Sequence, residues 1–446
     1  MPKLSTAAAQ VAADALFAAS ADALLASFYQ PDGPGAAVIV TRTGKTVFRQ
    51  AYGMACLAKQ QPMTPETTFR LGSISKQFTA VAILMLAEEG KLSIHDEITR
   101  FLPDYPVQGK RITIEHLLTH SSGIVSFTDK DDFDANITRD VTVSEMIDSF
   151  KDDKLEFAPG TAFSYNNSGY YLLGALIEKV SGISYASFVE QRIFVPLGMH
   201  ATSHEGHERS PQHKAAGHTR HGGGFGPCDP MSMSQAYAAG ALVSTVDDMA
   251  RWEQAIASGK LISTANWAKA FTPYRLADGS ACAYGHGWEI GTLRQRPMLA
   301  HGGGINGFMT FALRLPEDAL FVAVLSNADD GIVDPEYIAH KIGAMALGDP
   351  FVDFDEITLD TATLDAYAGV YAINAAEQRT FWREADQLLM QRTGGDITPV
   401  HAHSADGFFI RNTLVHMQFV RDAAGQVAKV VVHQSGAADD NVRITA

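Results

Sequence analysis

At 446 residues the chain is too long for one ordinary domain and suggests two, one of them large. An apolar fraction of 46% supplies a sizeable core, and 19% charged residues is not the composition of a disordered chain. The formal net charge of −15, with no long basic run, argues against a nucleic-acid partner and against an anionic membrane surface.

The first 28 residues are Ala-rich, broken by Asp14 and Asp22, with Val11, Ala15, Leu16, Ala19, Leu24, Leu25 and Phe28 at helical intervals. That spacing predicts an amphipathic surface helix rather than an export signal, whose apolar run would be unbroken. No stretch of about 18 uninterrupted apolar residues exists, so no transmembrane helix is expected and the cytoplasm is the default location. Cys56, Cys228 and Cys282 are odd in number and widely spaced, which fits neither a disulfide framework nor a metal site.

Ala36 to Thr41 and Thr46 to Ala51 read as a hairpin about Thr43-Gly44. Phe69 to Gly90 turns helical, with Phe78, Val81, Ala82, Leu84 and Leu86 expected on one buried face. Leu117 to Gly123 looks like a helix end entering a loop, Pro159-Gly160 a turn, and Tyr170 to Val180 a second apolar helix. Residues 200 to 235 have no apolar period and predict a long loop. Asp247 to Ala257 is helical, and Phe308 to Leu315 with Leu320 to Leu325 form another hairpin. An acidic linker spans Gly348 to Asp360. Beyond it short alternating segments predict a small antiparallel barrel or sandwich: Gly369 to Ile373, Arg379 to Glu384, Gln387 to Arg392, Gly407 to Arg411, His416 to Arg421 and Lys429 to Gln434. The expected domains are 1–350 and 360–446, with a boundary near residue 355.

Three short motifs carry chemistry. Ser73-Ile74-Ser75-Lys76 places a hydroxyl and an amine side by side on one helical face. The amine serves as a base only if burial or neighbouring charge lowers its pKa. Tyr165-Asn166-Asn167 offers a phenol able to shuttle protons and, at Asn167, an amide able to hold both Lys76 and a substrate carbonyl. His301-Gly302-Gly303-Gly304 precedes a β-type run. Its glycines allow a strand edge to approach substrate and leave N–H groups for an oxyanion, while His301 could assist proton transfer or present positive charge. Each motif alone has a plain structural explanation: a chance Ser-x-x-Lys, a capped core tyrosine, a glycine turn.

Taken together and in this order, they resemble the serine β-lactamase and penicillin-binding-protein superfamily. The resemblance covers residues 30 to 345. It includes Phe69-Arg70-Leu71-Gly72-Ser73, Leu117-Leu118-Thr119-His120-Ser121-Ser122-Gly123, Pro159-Gly160, Leu197-Gly198-Met199 and Ala239-Gly240-Ala241-Leu242-Val243-Ser244-Thr245. It implies a mixed α/β fold: an antiparallel sheet flanked by helices beside an all-helical lobe, with the site between them. It also implies Ser73 as nucleophile, Lys76 and Tyr165 sharing acid and base roles, Asn167 orienting the site, and the N–H groups of Ser73 and Gly304, beside Gly303, as the oxyanion hole. No cofactor and no metal are implied. The segments Tyr367-Ala368-Gly369-Val370-Tyr371 and Met417 to Asp422 look like the lipocalin-like tail domain of this superfamily, as a stabilising or oligomerising appendage or as part of the substrate entrance.

The third motif departs from class C β-lactamases, which place Lys-Thr-Gly where His301-Gly302-Gly303 stands. The cation that would meet a β-lactam carboxylate is missing, so dedicated β-lactamase activity is not expected. The leading expectation is a peptidase or amidase of the D-aminopeptidase type acting on a small molecule or short peptide. A family VIII-type carboxylesterase comes second, and a non-catalytic binding protein last. His200, His204, His207, His213, His218 and His221 crowd one stretch without a ligand pattern, Gly222-Gly223-Gly224 lacks the context of a phosphate loop, and nothing singles out Glu205 or Asp229 as an ammonium anchor.

Overall fold

Val38, Ile39 and Val40 are β-branched and buried on both faces, and the strand they form lies inside a sheet rather than at its edge. In a computed structural model, which describes residues 6–207, 213–434 and 437–444, this strand is β1 (Ala36–Arg42). Its hairpin partner is β2 (Lys45–Tyr52), and β3 (Glu289–Leu293), β4 (Arg296–Ile305), β5 (Phe308–Leu315) and β6 (Leu320–Ser326) complete the sheet. The order is β3-β4-β5-β6-β1-β2, and His301 on β4 pairs with Ala312 on β5.

Among the helices are α1 (Thr6–Phe28), α2 (Ser75–Glu88), α3 (Ile114–Leu118), α4 (Asn167–Ser181), α5 (Met233–Gly240), α6 (Val246–Ala257) and α7 (Pro335–Ala346). The helix expected on one buried face is instead buried all round: every residue of α2 from Ser75 to Leu86 is inaccessible. It packs against α4 and α5, so its polar Ser75, Lys76, Gln77 and Thr79 must find partners inside the protein. Ser75 Oγ accepts from Leu242 N, and Thr79 Oγ1 donates to Ala238 O at 2.7 Å.

On α1 the buried stripe is Phe17, Ala21 and Leu25, and Leu16 is 72% exposed. Leu25 of the predicted face is buried, but earlier in the helix Phe17 takes the inward place expected of Leu16. In an Ala-rich helix small side chains occur on every side, and the few large ones decide the face only once a partner surface exists; the side chain of Val11 lies outside the described residues. The stretch 200–235 is also more ordered than a loop: Ser203–His204 joins a three-stranded sheet, His218–His221 and Gly224–Pro227 form a hairpin, and α5 begins at Met233. Cross-strand pairing there needs no apolar alternation, which is why the pattern missed it.

The chain divides into two compact units, 1–291 with 296–346, and 292–295 with 347–446. In the second, α8 (Thr361–Tyr367) leads into a closed antiparallel barrel of β7 (Gly369–Ala372), β8 (Gln378–Glu384), β9 (Gln387–Arg392), β10 (Ile397–Ala402), β11 (Gly407–Phe409), β12 (His416–Arg421), β13 (Val427–Gln434) and β14 (Ala437–Ile444). Closure resolves the choice between barrel and sandwich and fits the lipocalin-like tail. Two strands, β10 and β14, were absent from the sequence reading; β14 carries Asp439, Asp440 and Asn441, a composition that strands disfavour. Tyr371, Phe381, Phe408 and Phe419 fill the interior with mutual ring contacts.

Candidate active site

The turn before α2 is held from two sides. Leu71 N donates to Leu242 O at 2.8 Å, and Thr310 Oγ1 on β5 donates to Leu71 O at 2.8 Å. Gly72 has φ +54°, and a Cβ there would lie 3.0 Å from Gly304 N and 3.1 Å from Gly303 C. Only glycine combines that backbone with such a neighbour. The chain thus enters a short 3₁₀ turn, Gly72–Ile74, with Ser73 alongside the glycine stretch of β4.

Three residues later Lys76 is 0% exposed. Its Nζ lies 2.9 Å from Ser73 Oγ, 2.7 Å from Asn167 Oδ1 and 3.0 Å from Ala239 O. All three partners are neutral. Burial pushes the ammonium well below its ordinary value, because neutral partners do not make up for the lost hydration of a full charge.

Asn167 begins α4, with Asn166 capping the helix through Oδ1 to Gly169 N. The Asn167 amide has a defined sense, since Nδ2 donates to Thr128 Oγ1 at 3.2 Å and so turns Oδ1 toward Lys76. Tyr165 is set by its neighbours: Ser164 N donates to His120 O and Asn166 N to His120 Nδ1. Its ring centre is 4.8 Å from Lys76 Nζ and 4.3 Å from the His120 ring. Although Tyr165 is 37% exposed, the crowding of its packed side lifts the phenol above its ordinary pKa, with its hydrogen bonding to Ser73 pulling the other way.

His301 is 1% exposed, and both ring nitrogens are engaged. Gly302 O, which can only accept, lies 2.6 Å from Nδ1, so that nitrogen bears the proton and Nε2 accepts from Tyr284 OH at 2.8 Å. Burial, chiefly, lowers the imidazole to about 3. The expectation that His301 could present positive charge is therefore corrected: it is a neutral group, 6.2 Å from the Tyr165 ring between centres. Ser73, Lys76, Tyr165, Asn167, His301, Gly303 and Gly304 thus converge in one place.

Sequence reasoning assigned no role to the Ala239 carbonyl, Thr128, Tyr284 or His120. Ala239 and His120 lie inside motifs that carried the resemblance; Thr128 and Tyr284 sit in unpatterned loop sequence and had no signal. The histidines of 200–221 take separate partners. His204 packs on Tyr185 and Tyr237, His218 Nδ1 meets Asn327 O, and His207 lies 3.4 Å from Glu190. Among the described residues no group of three or more His, Cys, Asp or Glu is placed to hold a metal ion. Glu205 is held by Arg70, at 2.9 and 3.0 Å, and by Lys214.

The Beta-lactamase family model matches residues 14–346. The chain belongs to this family. With penicillin-binding protein 4* of Bacillus subtilis it shares 28% identity over 434 residues, covering 91% of this chain and 94% of that protein. The octameric penicillin-binding protein homologue from Pyrococcus abyssi superposes with a TM-score of 0.69 at 26% identity, over 97% of this chain and all of that one. A D-stereospecific amidohydrolase from Streptomyces shares the fold at TM-score 0.62 and 24% identity, over 74% of this chain and 99% of its own. The β-lactamase-like serine hydrolase superfamily is thereby established for this chain, and no single helix among the described residues is long and apolar enough to cross a membrane.

Proposed function

We propose that this protein is a peptidase or amidase that cleaves small amide substrates through an acyl-enzyme on Ser73. The observation that carries the reading is the Lys76 enclosure. A neutral amine has two N–H bonds, and Asn167 Oδ1 and Ala239 O can only accept. They take both, which leaves the nitrogen lone pair facing the Ser73 hydroxyl.

In acylation the Ser73 proton passes to Lys76 Nζ as Oγ bonds to the substrate carbonyl carbon. The resulting oxyanion lies toward the N–H groups of Ser73 and Gly304. Collapse breaks the C–N bond; the leaving nitrogen takes the Tyr165 phenol proton, and Lys76 returns its proton to the Tyr165 oxygen. A phenol held above its ordinary pKa is protonated at neutral pH, which suits it to donate rather than to take the first proton. Water then adds to the acyl carbon by the same proton path, and Ser73 Oγ leaves with its proton restored. His301, through Tyr284 and Gly302, is a neutral wall of the site.

A phenol able to protonate the departing nitrogen matters most for amides, whose leaving group is a poor anion. D-stereospecificity is the Streptomyces neighbour's, and for this chain is part of the proposal. The test is turnover of matched D- and L-aminoacyl amides and esters, with mass spectrometry of Ser73. An adduct on Ser73 and amide turnover lost in Ser73→Ala are expected. Ester turnover without amide turnover would make the protein a carboxylesterase, and an unlabelled Ser73 would make it a non-catalytic binder. Penicillin should acylate it slowly, because a neutral imidazole stands where a cation would hold the carboxylate. We infer also a homo-oligomer, as in the octameric Pyrococcus homologue; sedimentation at the 48.0 kDa of one chain would overturn this.

A further inference from the structure

A cavity of about 150 Å³ opens beside Ser73. Its apolar walls come from three separate parts of the chain: Phe127, Phe133 and Ile137 from the segment after the His120 turn, Met231 and Ala236 from α5 and its approach, and Ile305 from the end of β4. Met231, Ala236 and Ile305 also form a small apolar cluster of their own with Met233 and Ala241. Among the described residues no charged side chain lines the cavity. Its polar amide nitrogens are already committed: Gln235 Nε2 donates to Asn136 O and Arg139 O, and Asn306 Nδ2 donates to Asp229 O.

The volume decides what such a pocket can take. An engineered apolar cavity of ~150 Å³ accepts benzene and leaves water out, so one phenyl-sized group matches this space. A carboxylate or ammonium there would lose its hydration without gaining a partner.

The pocket also has a side. Ser73, Asn167 and Gly304 belong to its wall, whereas Tyr165 and His301 do not. A leaving nitrogen must reach the Tyr165 phenol, so the leaving group lies toward Tyr165, and the pocket is left for the group attached to the acyl carbon.

We propose that this cavity is the acyl-side specificity pocket and selects substrates whose acyl group carries an uncharged, phenyl-sized apolar side chain. The proposal rests on the acyl-enzyme reading above. Its test first labels Ser73 in the full-length protein with a small fluorophosphonate, then compares kcat/KM for p-nitrophenyl esters of acetic, phenylacetic and succinic acid, corrected for their intrinsic hydrolysis. The shared leaving group isolates the acyl side, and esters report on it whether the physiological bond is an ester or an amide.

The phenylacetyl ester should exceed the acetyl ester roughly 100-fold, the range that a well-filled apolar pocket provides, and the anionic succinyl ester should fall below both. Ala236→Phe, which fills the pocket, should reduce the phenylacetyl-to-acetyl ratio at least tenfold. Phe133→Leu offers a second reading of the same ratio, with bulkier naphthylacetyl esters gaining relative to phenylacetyl. Ratios measured within one protein are independent of how much of a variant folds. A flat series, a succinyl preference, an unchanged ratio in both variants, or selectivity that follows the leaving phenol instead would each overturn the pocket assignment while Ser73 still labels. Failure of Ser73 to label would overturn the hydrolase reading itself.

Discussion

Two amine hydrogens pointed at two carbonyl-type oxygens make Lys76 a base with one open direction, and its charge state then sets the pH response. Its amine is active when neutral, so kcat/KM should fall on the acid side as Lys76 takes up a proton below its ordinary value. On the alkaline side activity should persist until the Tyr165 phenol ionises, above the ordinary phenol range. His301, lowered to about 3, cannot produce an acid limb nearer neutrality. A pH profile in which His301→Asn, but not Lys76, moves that limb would contradict this assignment. Thr128 acts one bond further out. Thr128→Val keeps the shape but removes the acceptor that fixes the Asn167 amide, so Oδ1 is no longer held toward Lys76. Loss of one such hydrogen bond is worth about 1–1.5 kcal/mol, and kcat should drop roughly tenfold; an unchanged kcat would show that the amide needs no such anchor.

These residues also mark where the sequence was legible. Ser73 and Lys76 are three apart across the 3₁₀ turn that enters α2, and Tyr165 and Asn167 two apart at a helix start, so short-range spacing alone pairs them. Thr128 and the Ala239 carbonyl cannot be found that way. A threonine in a loop and a main-chain oxygen have no compositional mark, and both gain meaning only from 39 and 163 residues away along the chain.

At the level of elements, α5 shows how backbone strain is used. Tyr237 interrupts it at φ +39°, ψ −127°, an uncommon conformation for a bulky residue. In an unbroken helix the Ala238 and Ala239 carbonyls would run along its own axis. Here they turn into α2, to Thr79 and Lys76. Gly174 on α4 permits this, since a Cβ there would come within 2.4 Å of the Tyr237 ring. The glycines of β4 differ in the same way. A Cβ at Gly303 would meet Leu71 O at 2.0 Å and Thr310 Oγ1 at 2.4 Å, whereas one at Gly304 would meet only Met309 Sδ, at 3.4 Å. Gly303→Ala should therefore cost about 1–3 kcal/mol and displace the Ser73 turn, with activity falling alongside. Gly304→Ala should leave stability nearly unchanged. Urea unfolding of the two variants separates these outcomes, and equal midpoints would count against the close approach of β4 to Leu71.

On the scale of the whole molecule, two cores are built on different principles. The first unit buries a central helix with polar side chains; the second closes a sheet on itself around aromatic rings that meet mostly edge to face. Phe419 is 2% exposed and touches Tyr367, Tyr371, Phe381 and Phe408. Phe419→Ala should cost about 3–5 kcal/mol, read as faster hydrogen exchange at the buried Val430 and Val432 amides; unchanged exchange would mean that the barrel does not depend on this ring. The amino-acid sequence by itself determined the residues of the Ser73 and Tyr165 motifs and the all-β tail, because each rests on short-range periodicity or spacing; the mixed α/β class came through the family resemblance that those motifs carry. Only the tertiary structure decided that α2 is buried on every side, that Lys76 is enclosed by neutral partners, and that burial holds His301 in its neutral form. Those properties depend on how much water is excluded around a group, and the chain sets that only after its distant parts have packed together.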